Sequence, residues 1–242
     1  KRNRRNIGRS HNGQYYPGER TRTLMPEKEQ ELLEKLHACT FCPLRTEGNR
    51  GPTQWSGPLD SPVIFVGEGP GGVEDEYGVP LVGPSGKLLD KALWSVGLTR
   101  DRVYVTNIVK CRPRNNRTPT LDEGKICADM HLLHEIEMVN PGVIVCLGKV
   151  AFQYFYGQAA SIMRNRGKWF SFRNIPVMPT YHPAFLLRQA GRELVESKWQ
   201  VYYDLKAAVE KAKESRPDYI YGSPQIPDLL SAYQKLKEQR SL

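Results

Sequence analysis

The amino-acid sequence predicts an α/β fold of three layers, α/β/α, around a central, mainly parallel four-stranded sheet. Three observations lead there. Several short runs are wholly apolar, as strands buried on both faces must be; VIFVG at residues 63–67 and VIVCLG at 143–148 are the clearest. Between them lie longer stretches with helical spacing of apolar residues, the alternation that covers a parallel sheet on both sides. Three polar motifs, GEGPGG, the Asn107 region and TYHP, each follow directly after a strand. Ligands of such sheets sit beyond the carboxyl ends of the strands, so the three motifs converge on one edge.

In chain order, PEKEQELLEKLHA (26–38) places Leu32, Leu33 and Leu36 on one side of a helix. Residues 43–60, with several Gly and Pro, read as loop. PVIFVG is the first strand, SGKLLDKALWSVG (85–97) a helix, RVYVTNIV (102–109) the second strand and KCRPRNNRTP (110–119) a polar loop. Thr120 with Glu123 three residues later predicts a capping box opening a helix that runs to about Asn140. GVIVCLG is the third strand, KVAFQYFYG (149–157) a helix and NIPVMPT (174–180) the fourth strand. A long helix follows across 192–214, and DLLSAYQKLKEQ (228–239) is another. The expected organisation is a basic extension over 1–26, one domain over 27–215 and a C-terminal extension with a helix over 216–242.

With 242 residues, 39% hydrophobic and 25% charged, the chain has the composition of an ordinary globular domain with extensions. Its apolar runs are far shorter than the ~20 residues of a membrane span. The basic N-terminus is not followed by the apolar stretch of a secretory signal, so a cytoplasmic protein is expected. The net charge of +9 is uneven: Lys1, Arg2, Arg4, Arg5, Arg9, Arg20 and Arg22 face Glu19 alone in the first 25 residues. That segment reads either as a solvated tail or as an arm for a polyanion, whose affinity comes from counterion release. GEGPGG is neither GxGxxG nor a P-loop with its lysine, so no nucleotide cofactor is expected.

Of the five cysteines, Cys146 lies inside VIVCLG and reads as a small buried hydrophobe. Cys39, Cys42, Cys111 and Cys127 sit in polar or loop-edge surroundings. A C-x-x-C clamp with two distant partners suits either zinc or an iron–sulfur cluster, and spacing does not separate the two.

GEGPG, GVPLVGPSGKLLD, TNIVKCRPRNNRTP and TYHPAFLLR, in that order, resemble family 4 of the uracil-DNA glycosylase superfamily, over roughly residues 29–214. The resemblance implies a 4Fe-4S cluster on Cys39, Cys42, Cys111 and Cys127, with zinc the second choice. It also implies DNA, single- or double-stranded, as the partner of an enzyme expected to be a monomer. Such an enzyme flips a pyrimidine nucleotide and hydrolyses the bond between base and deoxyribose. Charge develops positive on the sugar and negative on the base, so an acceptor is wanted near one and donors near the other. Glu68, with Glu74 second, is expected to polarise water or steady the sugar, and the backbone at Gly67 and Gly69 to offer donors to the base. Asn107 suits reading a pyrimidine edge. His182 resembles the family's histidine, which donates to the pyrimidine O2, and a neutral imidazole suffices for that. Leu186, Leu187 and Arg188 match the loop that wedges into the vacated stack. Arg112, Arg114 and Arg117, with Lys110 less so, are expected to face phosphate. Lacking an evident activated lysine, the enzyme should be monofunctional and leave an abasic site without nicking.

The sequence departs from the family twice. Leu81 stands where a Phe usually stacks on uracil, and Gly72 where Glu is common. Uracil remains the expected base. A widened pocket for a bulkier pyrimidine, such as a modified cytosine of phage DNA in a defence role, is the alternative. A cluster-bearing sensor of modified or damaged DNA that no longer cleaves is the reading from another class.

Overall fold

The structure is a computed structural model that describes residues 27–222. The basic extension and the helix expected at 228–239 lie outside the described residues. Helix α1 (Glu27–His37) and the cysteine loop lead into β1 (Val63–Gly67), α2 (Gly72–Tyr77), α3 (Pro84–Ser95) and β2 (Tyr104–Asn107). Then come α4 (Leu121–Cys127), α5 (Leu133–Val139), β3 (Val143–Leu147), α6 (Lys149–Tyr156) and α7 (Ile162–Asn165). β4 (Phe170–Phe172), β5 (Ile175–Thr180), α8 (Pro183–Leu186) and α9 (Gly191–Ser215) complete the order.

The sheet order is β2-β1-β3-β5-β4. β2, β1, β3 and β5 are mutually parallel, as expected, and β4 adds an antiparallel edge strand, making five. The fifth strand escapes sequence reading because FSF is only three residues long, with its two half-buried phenylalanines flanking an exposed serine. Its turn is made by Arg173 and Asn174, both at positive φ (48° and 68°), the backbone of a primed hairpin turn.

Alternation along the strands builds a core on each side. Val63 and Phe65 of β1 join Leu89, Leu93, Val201, Leu205 and Val209 under α3 and α9. Ile64 and Val66 join Leu32, Ile136 and Phe152 under α1, α5 and α6. That is the three-layer arrangement, with the strands buried on both faces. Cys146 is fully buried in β3, and its surroundings push the thiol pKa up.

The expected helix from Thr120 to Asn140 is continuous but not uniform. Thr120 and Glu123 form the capping box, with Thr120 N–H donating to Glu123 at 2.8 Å and Glu123 N–H to Thr120 at 3.2 Å. A π turn, Ala128–Leu132, then separates α4 from α5 immediately after Cys127. Past α9, residues 216–222 stay on the domain. Tyr219 Oη donates to the Arg102 carbonyl at 3.0 Å, and Arg102 bonds the Ile220 carbonyl. The packed body therefore runs beyond the boundary expected at 215.

Candidate active site

The sheet order places a topological switch between β1 and β3, the position where such sheets hold ligands. A cavity of about 390 Å³ opens there, lined by residues that follow β1, β2, β3 and β5. Glu68 and Gly69 come from the first loop, Pro113 and Arg117 from the second, Lys149 from the third and His182 from the fourth.

His182 caps α8. Its Nδ1 accepts the Ala184 N–H at 3.1 Å, which assigns the proton of the neutral ring to Nε2. Burial first, and the Arg188 guanidinium second, push its pKa down to about 4. At neutral pH the ring is therefore an uncharged donor. Gly148, at φ 89°, passes so close that a Cβ there would stand 2.8 Å from His182 Cβ. A side chain at 148 would displace the histidine, and the glycine after the third strand was its only trace in the sequence.

Glu68 lies in the cavity wall with its carboxyl raised chiefly by burial and drawn partly back by the neighbouring Thr118 side chain. Its loop continues the β1–β2 ladder: Ile108 N–H donates to the Gly67 carbonyl at 2.9 Å and Val109 N–H to that of Glu68 at 3.1 Å. Asn107 is buried at the end of β2 beside Gly67, where a Cβ would meet its Oδ1 at 2.4 Å. Asn107 and Gly67 sit behind the cavity rather than on its lining, whereas Gly69 lines it.

Glu74 and Asp75 are buried in α2. Glu74 Oε1 accepts the N–H groups of Val82 (3.1 Å) and Gly83 (2.9 Å), and Oε2 that of Gly71 (3.2 Å). One carboxylate thus clasps the two loops that flank it, and both oxygens are occupied. Leu81, on the second of these loops, lines the cavity with its backbone at φ 52°. A leucine in that region carries strain of about 1–3 kcal/mol. Arg100 holds its carbonyl at 2.7 Å, and Gly86 leaves room for that oxygen, since a Cβ would stand 1.7 Å from it. Gly72 does not line the cavity; a Cβ there would point at the Arg112 guanidinium, 3.4 Å away. The shortened residue therefore opens no space for a base.

A second clasp, which the sequence did not reveal, lies behind Tyr181. Arg166 forks onto Asp204 of α9, with Nε at 2.9 Å and Nη2 also bonded, and Thr180 Oγ1 donates to Asp204 at 2.7 Å. It fixes the end of β5 against the segment carrying Ile162 and Met163, both of which line the cavity.

The expected DNA-facing residues divide. Leu187 is 50% exposed, but Leu186 is 3% exposed and belongs to the core, so the two cannot wedge together. Arg188 is exposed and lines the cavity, and Arg114 is exposed. Arg112 Nε donates to Asn116 at 2.8 Å. Arg117 is committed to Glu123 and Glu47, which raise its pKa further. Lys110 is buried, 2.7 Å from Glu135 and 2.5 Å from Thr106, and faces no phosphate.

The four cysteines cluster behind the second loop. Cys39 and Cys42 are half-buried, Cys111 and Cys127 buried. The Cys42 thiol is raised mainly by burial and further by Cys39, and Cys111 is pushed up to about 12 by burial, with Cys42 and Cys39 adding to it. Cys127 likewise reaches about 12, with Cys42 and Cys111 contributing. The Lys110 N–H points at Cys127 Sγ, 3.3 Å away. The thiols of Cys42, Cys111 and Cys127 would stay protonated alone, and a bound cation is what turns such groups into thiolates. Among the described residues, no three His, Cys, Asp or Glu side chains close up as a site for one metal ion. No described helix is long and apolar enough to cross a membrane.

Residues 54–206 match the family model of the uracil DNA glycosylase superfamily. A type-4 uracil-DNA glycosylase of Thermotoga maritima is 44% identical over 173 residues, 69% of this chain and 88% of that protein. The type-4 enzymes of Archaeoglobus fulgidus and Sulfurisphaera tokodaii are 39% and 36% identical, over 72% and 80% of this chain and 91% and 90% of theirs. With its glycine loop, its capping histidine and its four cysteines set on the fold just described, the chain belongs to the uracil-DNA glycosylase superfamily, in the type-4 family.

Proposed function

We propose that this protein is a monofunctional DNA glycosylase that draws a uracil nucleotide into the cavity and hydrolyses its N-glycosidic bond. One observation carries the reading: a neutral imidazole, with its proton assigned to Nε2, shares a cavity with a partly desolvated carboxylate. As the bond to the sugar breaks, His182 donates to the pyrimidine oxygen where negative charge gathers. An uncharged donor does this without a standing positive charge beside the base. Glu68 accepts the proton of the attacking water or faces the oxocarbenium-like sugar, and its raised pKa improves it as a base. Glu74 acts through the loops it joins rather than on water, because its oxygens already hold three amides. Leu187 fills the gap left in the stack, with Arg188 beside it.

The four cysteines suit a 4Fe-4S cluster, which when bound supplies a structural cross-link between the α1 loop, the segment after β2 and the end of α4. The enzyme acts on DNA as a monomer with no nucleotide cofactor. Iron and sulfide content against zinc, together with gel filtration, check these two statements. The relatives above are named for uracil, and the cavity keeps Glu68 and His182. Neither a bulkier base nor a non-cleaving sensor is favoured.

The test is an oligonucleotide carrying one uracil. Incubation should leave an alkali-labile site, release free uracil and give no strand break before alkali. Borohydride should trap no adduct with Lys149, the lysine at the cavity, as expected of a monofunctional enzyme that uses water rather than an amine as nucleophile. Absence of cleavage on both single-stranded and duplex uracil DNA would remove the enzyme reading.

A further inference from the structure

Residues 157–169 connect α6 to β4, and α7 within them supplies Ile162 and Met163 to the lining of the base cavity. The connection is tied at both ends. On the α6 side the buried Gln153 amide donates to the carbonyls of Gln158 at 2.6 Å and Ala160 at 3.3 Å. On the other side Arg166 forks onto Asp204 and donates to the Gln200 carbonyl at 3.1 Å, with its guanidinium 5.7 Å from the centre of the Tyr181 ring. Gly167 N–H donates to the Pro179 carbonyl at 3.0 Å. Its φ of 73° suits glycine, and a Cβ there would stand 2.8 Å from Asp204 Oδ1. Inside the turn, the Asn165 amide donates to the Ser161 carbonyl at 2.9 Å and Arg166 N–H to that of Ile162 at 2.9 Å.

On this mount the two apolar residues part. Ile162 is half-buried and packs against both cores. Met163 belongs to neither core and is 62% exposed; every other apolar residue of the cavity lining is buried or half-buried. A lone exposed apolar side chain is ordinary on a protein surface. One that borders a cavity, on a segment tied at both ends, is placed to touch what enters that cavity.

We propose that Met163 is a substrate-contacting residue, whose thioether lies against the extrahelical nucleotide and closes apolar surface over it. This deepens the glycosylase reading above and rests on it. Methionine suits the place, since its unbranched chain adapts to a guest and its sulfur is favourable against an aromatic ring. His182 and Glu68 act on the bond, and Met163 adds affinity. Because it meets the nucleotide itself and not the vacated stack, Met163 matters equally in single-stranded and duplex DNA. Leu187, which fills the stack, matters in duplex.

The experiment measures single-turnover uracil release by the holoenzyme, Met163→Ala and Met163→Leu over a range of enzyme concentrations, from single-stranded and duplex oligonucleotides. Met163→Ala should raise the half-saturating enzyme concentration about tenfold on both substrates and change the saturating rate less than about threefold, the pattern of lost binding. Met163→Leu, close in volume, should stay within about twofold of the wild type. The urea midpoint of both variants should not move, because the side chain belongs to neither core. A second readout follows the methyl group itself. The chain has five methionines. In Glu68→Gln carrying methyl-labelled methionine, the Met163 resonance is the one that Met163→Leu removes. Uracil DNA should move it, and the same oligonucleotide with thymine in place of uracil should leave it. Three outcomes overturn the inference: unchanged saturation of Met163→Ala on both substrates, a loss confined to duplex, or a resonance that thymine DNA moves as far. Met163 would then be idle, a second wedge or a contact to the backbone. If the wild type releases no uracil from either substrate, the glycosylase reading falls and takes this inference with it.

Discussion

Two walls of the base cavity are held by different means. The wall made of the Gly71 and Val82 loops is closed within the α/β body, by the Glu74 carboxylate and by the Arg100 hold on Leu81. The wall made of residues 113–119 is held by acids that belong to the cysteine-bearing segments. The first is pre-organised by the polypeptide alone. The second is tied to the segments that carry the thiols, half-buried at Cys39 and Cys42 and buried at Cys111 and Cys127. The cysteines line no part of the cavity, yet one side of the pocket is tied to the segments that carry them.

The largest break in this comparison comes from Glu74→Ala. Three backbone N–H groups lose their acceptor, at about 1–3 kcal/mol for each that stays buried. Excision should fall on the order of 100-fold or more through misplacement of the loops, while iron content stays at the wild-type level. Stripping the cysteines of metal with a chelator should give the converse pattern. Proteolysis by trypsin should appear first at Arg112, Arg114 or Arg117, with loop 67–83 still protected. Early cutting in both loops would show that the walls are not held separately.

Asp204→Asn should cost on the order of tenfold in excision and about 2 kcal/mol in stability, because Arg166 keeps its charge but loses a buried partner. The loss should be visible in denaturant unfolding without loss of iron. His131, buried in the π turn, has its pKa lowered from 6.5 to about 4 by burial first and then by Lys110 and His134. A group that is harder to protonate when folded gives stability that is complete above pH 6.5. That stability drains away as pH falls toward 4, by about 3 kcal/mol at most. Replacement by Gln should flatten this acid-side slope in thermal unfolding measured between those limits. The smallest effect belongs to Leu187→Ala, which should slow excision a few-fold from duplex and leave single-stranded substrate nearly unchanged.

Much of the fold could be read from periodicity, because the strands are apolar on both faces and the helices carry a clear stripe. The order of four parallel strands and the capping box at Thr120 follow from such local signals. Where the reading failed, the deciding partner was distant in sequence. Glu74, expected as the second candidate to act on water, is instead committed to the N–H groups of Gly71, Val82 and Gly83. Arg117 looks like a phosphate ligand until Glu47, 70 residues earlier, is seen beside it. Leu186 and Leu187 are equivalent as letters, and the phase of a four-residue helix decides which of them reaches solvent. The π turn, which shifts the helix register just after Cys127, has no sequence mark at all.

The central claim, that a neutral His182 and the Glu68 carboxylate carry out the hydrolysis, is tested most directly by single-turnover uracil release at pH 7. Wild type, Glu68→Gln and His182→Gln are compared at matched iron content. The account predicts that each substitution lowers the rate by about 10²–10⁴-fold, with the wild-type rate showing no titration of a histidine between pH 6 and 8. Near-wild-type release by either variant, or a wild-type rate that falls off with a histidine's ordinary pKa near 6.5, would contradict it.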